Sequence, residues 1–443
     1  MTAPAPPRPG LRDHIRLARR LLHDPAPALD ELRERWGPVV RLGGGPARLA
    51  IVGSAAAIAD VHALPTDHFR WGHKFNVLGF VVGDSSMIVS DGDDHRRRRG
   101  AVQPAFGRRR LNGWIPMIVE QADAVIYDLT DGDTDLYPAG RSLVFEIAVR
   151  AFFGEGLVQH IPELEARFDT SQAYLESSAL RQLPHPFPFT RRARVRADRK
   201  AMDDILDGEI ARLRSGSIAD DRGDVLQALV ADGVLSDAEI RDQVLTLIGA
   251  GFHTTAASLA WTIWLAASTP GVWDALRVEA DAVLGDEDTA ALSTSQLAGL
   301  ELADRVVRET LRLHPAGVFS PREAAQDIEV AGHTIRKGTL VMWSPYLAGR
   351  DVDVWDEPLA FRPDRWLDPT DEQRAANDSA WVPFGRPARN CIGFAMAHME
   401  LVLILARMAQ RLDVTLASDT VPPPHGMVVN RPTGGVPARI THR

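Results

Sequence analysis

The only cysteine of the 443-residue chain, Cys391, lies in Phe384-Gly-Arg-Pro-Ala-Arg-Asn-Cys-Ile-Gly393. Glycine and proline upstream exclude regular structure, and Phe394-Ala-Met-Ala-His-Met-Glu-Leu401 downstream has helical spacing. A loop therefore delivers the thiol to a helix N-terminus, where free amides and the helix dipole favour thiolate, the form that binds metals and acts as a nucleophile. Gly393 would let a flat ligand approach the backbone closely. An inert buried thiol is the commonest fate of a lone cysteine. Nucleophilic catalysis is a further reading, although no histidine stands nearby in a known arrangement.

Other residue sets have types and spacing suited to a site. Gly249 and Gly251 interrupt an apolar stretch just before His253, Thr254 and Thr255. Each glycine in mid-helix costs about 1 kcal/mol against alanine, so something must offset it. The threonine hydroxyls either bond back to their own helix or face a ligand. Glu309 and Arg312 are one helical turn apart, as are His95 and Arg99. For the last pair, within the run Arg96–Arg99, a solvated basic face is the ordinary explanation.

Ser236-Asp-Ala-Glu239 has the capping-box pattern of a helix start, and Val244, Leu247, Ile248 and Gly251 share one face beyond it. Pro270 ends this helix, giving a length of about 50 Å at about 1.5 Å per residue. From Gln243 to Trp273 there is no Asp, Glu, Lys or Arg, enough to span a bilayer by length. Thr246, His253, Ser258 and Thr262 nevertheless put polar groups in nearly every direction, so the helix is expected to be buried within a soluble protein. Further helices are predicted over His95–Phe106, Leu111–Leu129, Ser142–Phe153, Arg191–Arg214 and Ile392–Leu412. Pro184–Pro188 reads as an extended break. Val39–Leu42 and Leu49–Val52 suit a β-hairpin, and Gly332–Met342 two short strands around Lys337-Gly338.

The sum is a mainly α protein with a minor β portion, a single domain over residues 1–443 with a flexible 1–10. Hydrophobic residues at 45% and charged at 25% exclude disordered and collagen-like chains. A net charge of −9 argues against nucleic acid as a partner. One thiol cannot build a disulfide framework, and no signal-peptide core or membrane anchor follows the basic start, so a cytoplasmic location is expected.

Phe384-Gly385 with Arg389, Cys391 and Gly393 resembles the haem-binding loop of the cytochrome P-450 family, soluble bacterial type. Glu309-Thr-Leu-Arg312 and Phe361-Arg-Pro-Asp-Arg-Trp366 match two further family segments. Ala250-Gly-Phe-His-Thr-Thr255 is similar to its oxygen-activation motif, and His95 to Arg99 to the His-x-x-x-Arg of an early helix. The five pieces come in the family's order and spacing, from about Val39 to Arg431. Each alone is weak; together they are specific. The resemblance implies the family's fold, with haem b (iron protoporphyrin IX) between the long central helix and the helix after the cysteine loop. Cys391 would be the iron ligand, its thiolate favouring O–O cleavage, with Phe384 packed on the sulfur side. His95, Arg99, Arg322 and Arg389 would pair with the propionates. Glu309, Arg312 and Arg365 would form a buried network holding the loop. Gly249 and Gly251 would permit a local widening of the helix that makes room for dioxygen and water at Ala250 and Gly251, with Thr254 helping to deliver protons.

Two departures stand out. His253 replaces the acid that usually precedes the threonine; it would relay protons, contact substrate, or mark unusual oxygen activation. Pro387 stands where the loop usually has glycine. By the same resemblance, an apolar pocket would draw on Phe75, Val77, Leu78, Phe80, Val318, Phe319, Met427 and Val428. The activity implied is a monooxygenase that hydroxylates or epoxidises a lipophilic small molecule in secondary metabolism. Rival expectations are a haem-thiolate peroxygenase or rearrangement catalyst, or a non-catalytic haem-binding protein. No fused reductase is expected, and electrons would come from a separate ferredoxin and its reductase, docking on Arg96–Arg98 and Arg108–Arg110.

Overall fold

The computed structural model describes residues 3–23, 25–72, 77–216, 224–285, 294–426 and 428–443. The pocket candidates Phe75 and Met427 lie outside the described residues. The first part of the chain forms α1 (Leu11–His23), α2 (Pro25–Trp36), β1 (Val39–Leu42), β2 (Leu49–Val52), α3 (Ala55–Ala63), β3 (Phe69–Arg70) and α4 (Val77–Val82). The helical body follows: α5 (Gly92–Val102), α6 (Arg108–Asp128), β4 (Gly132–Asp135), α7 (Leu136–Phe153), α8 (Ile161–Leu175), α9 (Ala179–Gln182), α10 (Arg191–Ser215), α11 (Val225–Asp232) and α12 (Asp237–Ser268). Then come α13 (Val272–Leu284), α14 (Thr294–Leu297), α15 (Glu301–Leu313), β5 (Ser320–Ala324), β6 (Ile328–Val330), β7 (His333–Ile335), β8 (Leu340–Trp343), α16 (Pro345–Ala348) and α17 (Asp371–Ala380). The chain closes with α18 (Phe394–Arg411) and β9 (Leu412–Leu416), β10 (Pro424–His425), β11 (Arg431–Pro432) and β12 (Pro437–His442).

Helix α12 is the axis of the largest apolar cluster, to which α6, α7, α13, α15 and α18 contribute. Its capping box is made as the sequence predicts: Ser236 Oγ accepts from Glu239 N, and Glu239 Oε2 accepts from Ser236 N at 3.2 Å. It is apolar enough to cross a membrane, but 78% of its apolar window is buried against the protein's own helices. The expectation of a core helix is met.

The smaller β part is a five-stranded sheet in the order β1-β2-β8-β5-β3, with β2 and β8 parallel. The predicted hairpin is present, Val39 opposite Val52. The two strands around Lys337-Gly338 join different sheets, β7 pairing with β6 and β8 with β2 and β5. Several expectations need correction. Residues 3–10 are not loose: Thr334 N donates to Pro4 O and Arg41 N to Pro7 O, both at 2.9 Å. The helix expected to run to Phe106 leaves the α form at Val102, because Pro104 has no N–H to continue the ladder. Helix α7 starts at Leu136, capped by the Asp135 carboxylate on Tyr137 N, rather than at Ser142.

Candidate active site

The loop before α18 turns at Gly385, whose φ of +72° suits glycine, and closes where Cys391 N donates to Phe384 O at 2.8 Å. Phe384 meets Phe394 edge-on, ring centres 4.8 Å apart. The Cys391 side chain is open to space although protein surrounds it at depth. The expected lowering of its pKa is not the net outcome. Burial pushes the thiol up, against the pull of the Gly393 and Phe394 amides and of Arg99. A thiolate here needs a further positive partner. Pro387 lies on the exposed flank of the loop.

Three guanidinium groups and the imidazole of His95 gather near this loop. Arg99 donates to Asn390 O at 2.8 Å and to Asn390 Oδ1 at 3.0 Å, so it braces the residue before the cysteine. Arg389 donates to Ser90 O at 2.7 Å, contacts Asp91 at 3.2 Å and stacks on Trp71 at 3.9 Å. Arg322 is buried between the rings of Phe69, Trp71 and Trp343, and its Nε has no hydrogen-bond partner among the described residues. Burial, with Arg389 beside it, lowers Arg322 to about 10; burial, Arg389, Arg99 and Arg96 lower His95 to about 4. These groups repel one another, and Asp91 alone is too little anion to satisfy them. Trp71 and Asp91 were not singled out in the sequence; nothing near them in the chain marks them as partners of Arg322 and Arg389.

Opposite the loop, α12 is buried along most of its length, yet Ala250 is exposed and Gly251 and Thr254 are partly so. These three positions share a helix face. Thr254 Oγ1 donates to Ala250 O at 2.5 Å, which leaves its lone pairs for a donor in that space. A Cβ at Gly251 would meet no other element within 4 Å, and one at Gly393 would touch only Phe106 at 3.9 Å. Helix α12 is assigned without a break from Asp237 to Ser268. Gly249 is explained instead by packing, since a Cβ there would lie 3.3 Å from the Phe168 ring. His253 is buried on the flank of the opening, against α8.

Glu309 is the centre of the expected network and fully buried. It accepts from Arg312 Nε at 2.9 Å and Nη2 at 2.7 Å, from Arg365 Nε at 3.0 Å and from Arg362 N at 2.9 Å. Trp366 Nε1 is a further donor, at 3.0 Å, that the motif did not announce. An aromatic series joins this network to the cysteine loop: Trp366 to Trp381 at 6.1 Å, Trp381 to Phe384 at 6.0 Å.

The apolar pocket candidates separate. Val318 is core, not wall: it packs with Leu17, Leu29 and Tyr346, and Phe319 leans on the same cluster. Phe80 lies under Arg192 at 3.7 Å and beside Tyr174, and Val77 packs in the same cluster. Leu78 and Val428 are half-buried. The expected basic docking patch is partly spent within the chain, because Arg97 and Arg98 both reach Glu239 and Arg96 pairs with Asp93. Arg110 donates to Asp224 O at 3.2 Å, while Arg108 is exposed.

A deep accessible thiol, glycines bordering open space on two packed helices, and buried cations short of anions fit a flat, anionic, metal-bearing group. Cysteine suits iron, and guanidinium suits carboxylates. Fold and site together describe a haem-thiolate protein. A model of the cytochrome P450 family matches residues 4–436, and the chain belongs to that family. A Mycobacterium tuberculosis protein bearing the name cytochrome P450 139 is 35% identical over 388 residues, 85% of this chain and 88% of that one. The pentalenene oxygenase of Streptomyces avermitilis is 31% identical, over 76% of each chain. The cyclooctatin synthase of Streptomyces melanosporofaciens is 32% identical, over 75% of this chain and 73% of that one. The solved structure of retinoic acid bound cyanobacterial CYP120A1 superposes over 100% of both chains with a TM-score of 0.87 at 24% identity, a likeness of fold. The family's cofactor is haem held by cysteine thiolate, and its chemistry is oxidoreductase chemistry of the monooxygenase kind.

Proposed function

We propose that the protein is a monooxygenase that hydroxylates or epoxidises a lipophilic small organic molecule, with electrons from a separate ferredoxin and its reductase. The observation that supports this is an accessible Cys391 at the start of α18 together with the open Ala250-Gly251-Thr254 face of α12, a helix packed on α18. Haem, when bound, supplies the redox chemistry that puts one oxygen atom of dioxygen into substrate and reduces the other to water. The chain supplies the setting. Cys391 would hold the iron, with the Gly393 and Phe394 amides stabilising charge on sulfur. Arg322, whose Nε is unpaired among the described residues, would take a propionate together with His95 and Arg389. Arg99 fixes Asn390 and so the cysteine's approach, with its guanidinium also within reach of sulfur's charge. Thr254, its proton given to Ala250 O, accepts a hydrogen bond at the reacting side. The names of the two Streptomyces relatives favour a hydrocarbon-rich substrate.

Reduced protein treated with carbon monoxide is expected to show the red-shifted Soret band of thiolate ligation, and Cys391→Ala to lose it. A wild-type protein with haem but without that band would overturn the proposal. One observation keeps a second reading open: His253 stands where an acid would feed protons, so a peroxygenase needs testing. Turnover with hydrogen peroxide at the rate seen with ferredoxin and reductase would establish it.

A further inference from the structure

The central helix offers His253, not a carboxylate, next to Thr254. The carboxylate that faces its ring comes from α8: Asp169 Oδ1 lies 3.8 Å from His253 Nε2. That nitrogen is buried and without a hydrogen-bond partner among the described residues, and the whole residue is 8% exposed. Asp169 keeps 39% of its side chain exposed, so it joins the buried ring to solvent. Its position is enforced. Arg141 Nη2 on α7 holds Asp169 Oδ2 at 2.8 Å and Glu165 Oε1 at 2.6 Å, and its guanidinium lies 5.3 Å over the ring of Phe252. Phe168, one residue before Asp169, fits against Gly249 one turn before His253. The same glycine that looked like a site for helix widening is what lets α8 come close.

We propose that Asp169 and His253 form the proton-entry couple of this site, with the carboxylate that α12 lacks supplied by α8 and positioned by Arg141. The proposal rests on the monooxygenase reading, which requires protons beside Thr254. A proton taken from solvent by Asp169 passes to His253 Nε2. The imidazolium, whose ring also bonds to the Phe168 carbonyl, turns to release one on the side of Ala250 and Thr254, and both groups return to their starting charge. One proton enters for each delivered, and no electron moves. The 3.8 Å gap is a charge contact that a small rotation or one bridging water closes. The groups acting on His253 are Asp169 and the Phe168 carbonyl on α8, Arg141 on α7 and Arg431 on β11. Burial, Arg141 and Arg431 bring the histidine down to about 4, and burial raises the aspartic acid above 3.8.

The test uses the haem-loaded enzyme. Asp169→Asn is expected to slow single-turnover product formation about tenfold or more and to divert reducing equivalents from NAD(P)H to hydrogen peroxide. In the His253→Asp background the helix carries its own acid, and Asp169→Asn should then change little. Independently of turnover, 15N-histidine NMR of the carbon monoxide complex should show the His253 midpoint moving to lower pH in Asp169→Asn, as Arg141 is left unopposed, and to higher pH in Arg141→Gln. An intact thiolate band with unchanged coupling and an unmoved His253 midpoint in Asp169→Asn would overturn the proposal while leaving the monooxygenase reading standing. Absence of the band in wild type would overturn both.

Discussion

Glu309→Gln tests how the cysteine loop is held. The carboxylate accepts two bonds from Arg312, one each from Arg365 and Trp366, and one from the Arg362 amide. Glutamine keeps the shape, removes the charge and turns one acceptor into a donor facing donors. The Arg312 and Arg365 side chains, 0% and 8% exposed, would then be buried cations without a counterion. Breaking one partner out of such a group costs about 3–5 kcal/mol. With an unfolding entropy of about 2.1 cal/mol/K per residue, 443 residues correspond to about 0.9 kcal/mol/K, so the melting temperature should fall by about 3–5 °C. The aromatic series from Trp366 through Trp381 to Phe384 carries the disturbance to the cysteine loop, so haem content per chain should fall as well. Circular dichroism melts and Soret absorbance per protein read the two effects. Arg365→Met added to Glu309→Gln should cost less than the two changes taken separately, since the second removes a charge the first has stranded. A fall under 1 °C with full haem content, or strict additivity, would refute the picture of Glu309 as the counterion of this group.

Gly251→Ala should raise the melting temperature of the haem-free chain by about 1 °C, because a mid-helix alanine gains about 1 kcal/mol and meets no other element within 4 Å. The same methyl enters the open face, so spin-state titrations with lipophilic compounds should show weaker binding; equal binding would place Gly251 away from the substrate. Glu400 is buried on α18 with Oε1 unpaired among the described residues, and burial raises its carboxyl to about 8. The folded chain therefore keeps a proton that the unfolded chain releases above about 4.5. Its contribution is complete below that pH and is lost as pH rises through about 8. Glu400→Gln should melt like wild type near pH 4.5 and increasingly above it toward pH 9; parallel curves would show that Glu400 is paired.

What could be read from the chain was what lies close together in it. The cysteine loop, the Glu309–Arg312 turn and the capping box at Ser236 are contiguous patterns with local physics, and each is found in place. Arg365 came from the next motif and also joins its partners. Pairings between distant elements had no such signature. Trp71 against Arg322 and Arg389, and Asp169 against His253, depend on which helix packs where. Apolar residues were the least informative, since Val318 reads the same whether it lines a pocket or, as here, packs against Leu17 and Leu29. Gly249 shows the same limit in a glycine: two vacant Cβ positions, two residues apart and so on opposite faces of the helix, look alike in sequence. One receives the Phe168 ring and the other borders open space. That difference sets the spacing of α8 and α12, and with it the distance between Asp169 and His253. The departure at residue 253 is therefore legible only as a missing acid, and it takes the packing of a second helix to show where a replacement carboxylate stands.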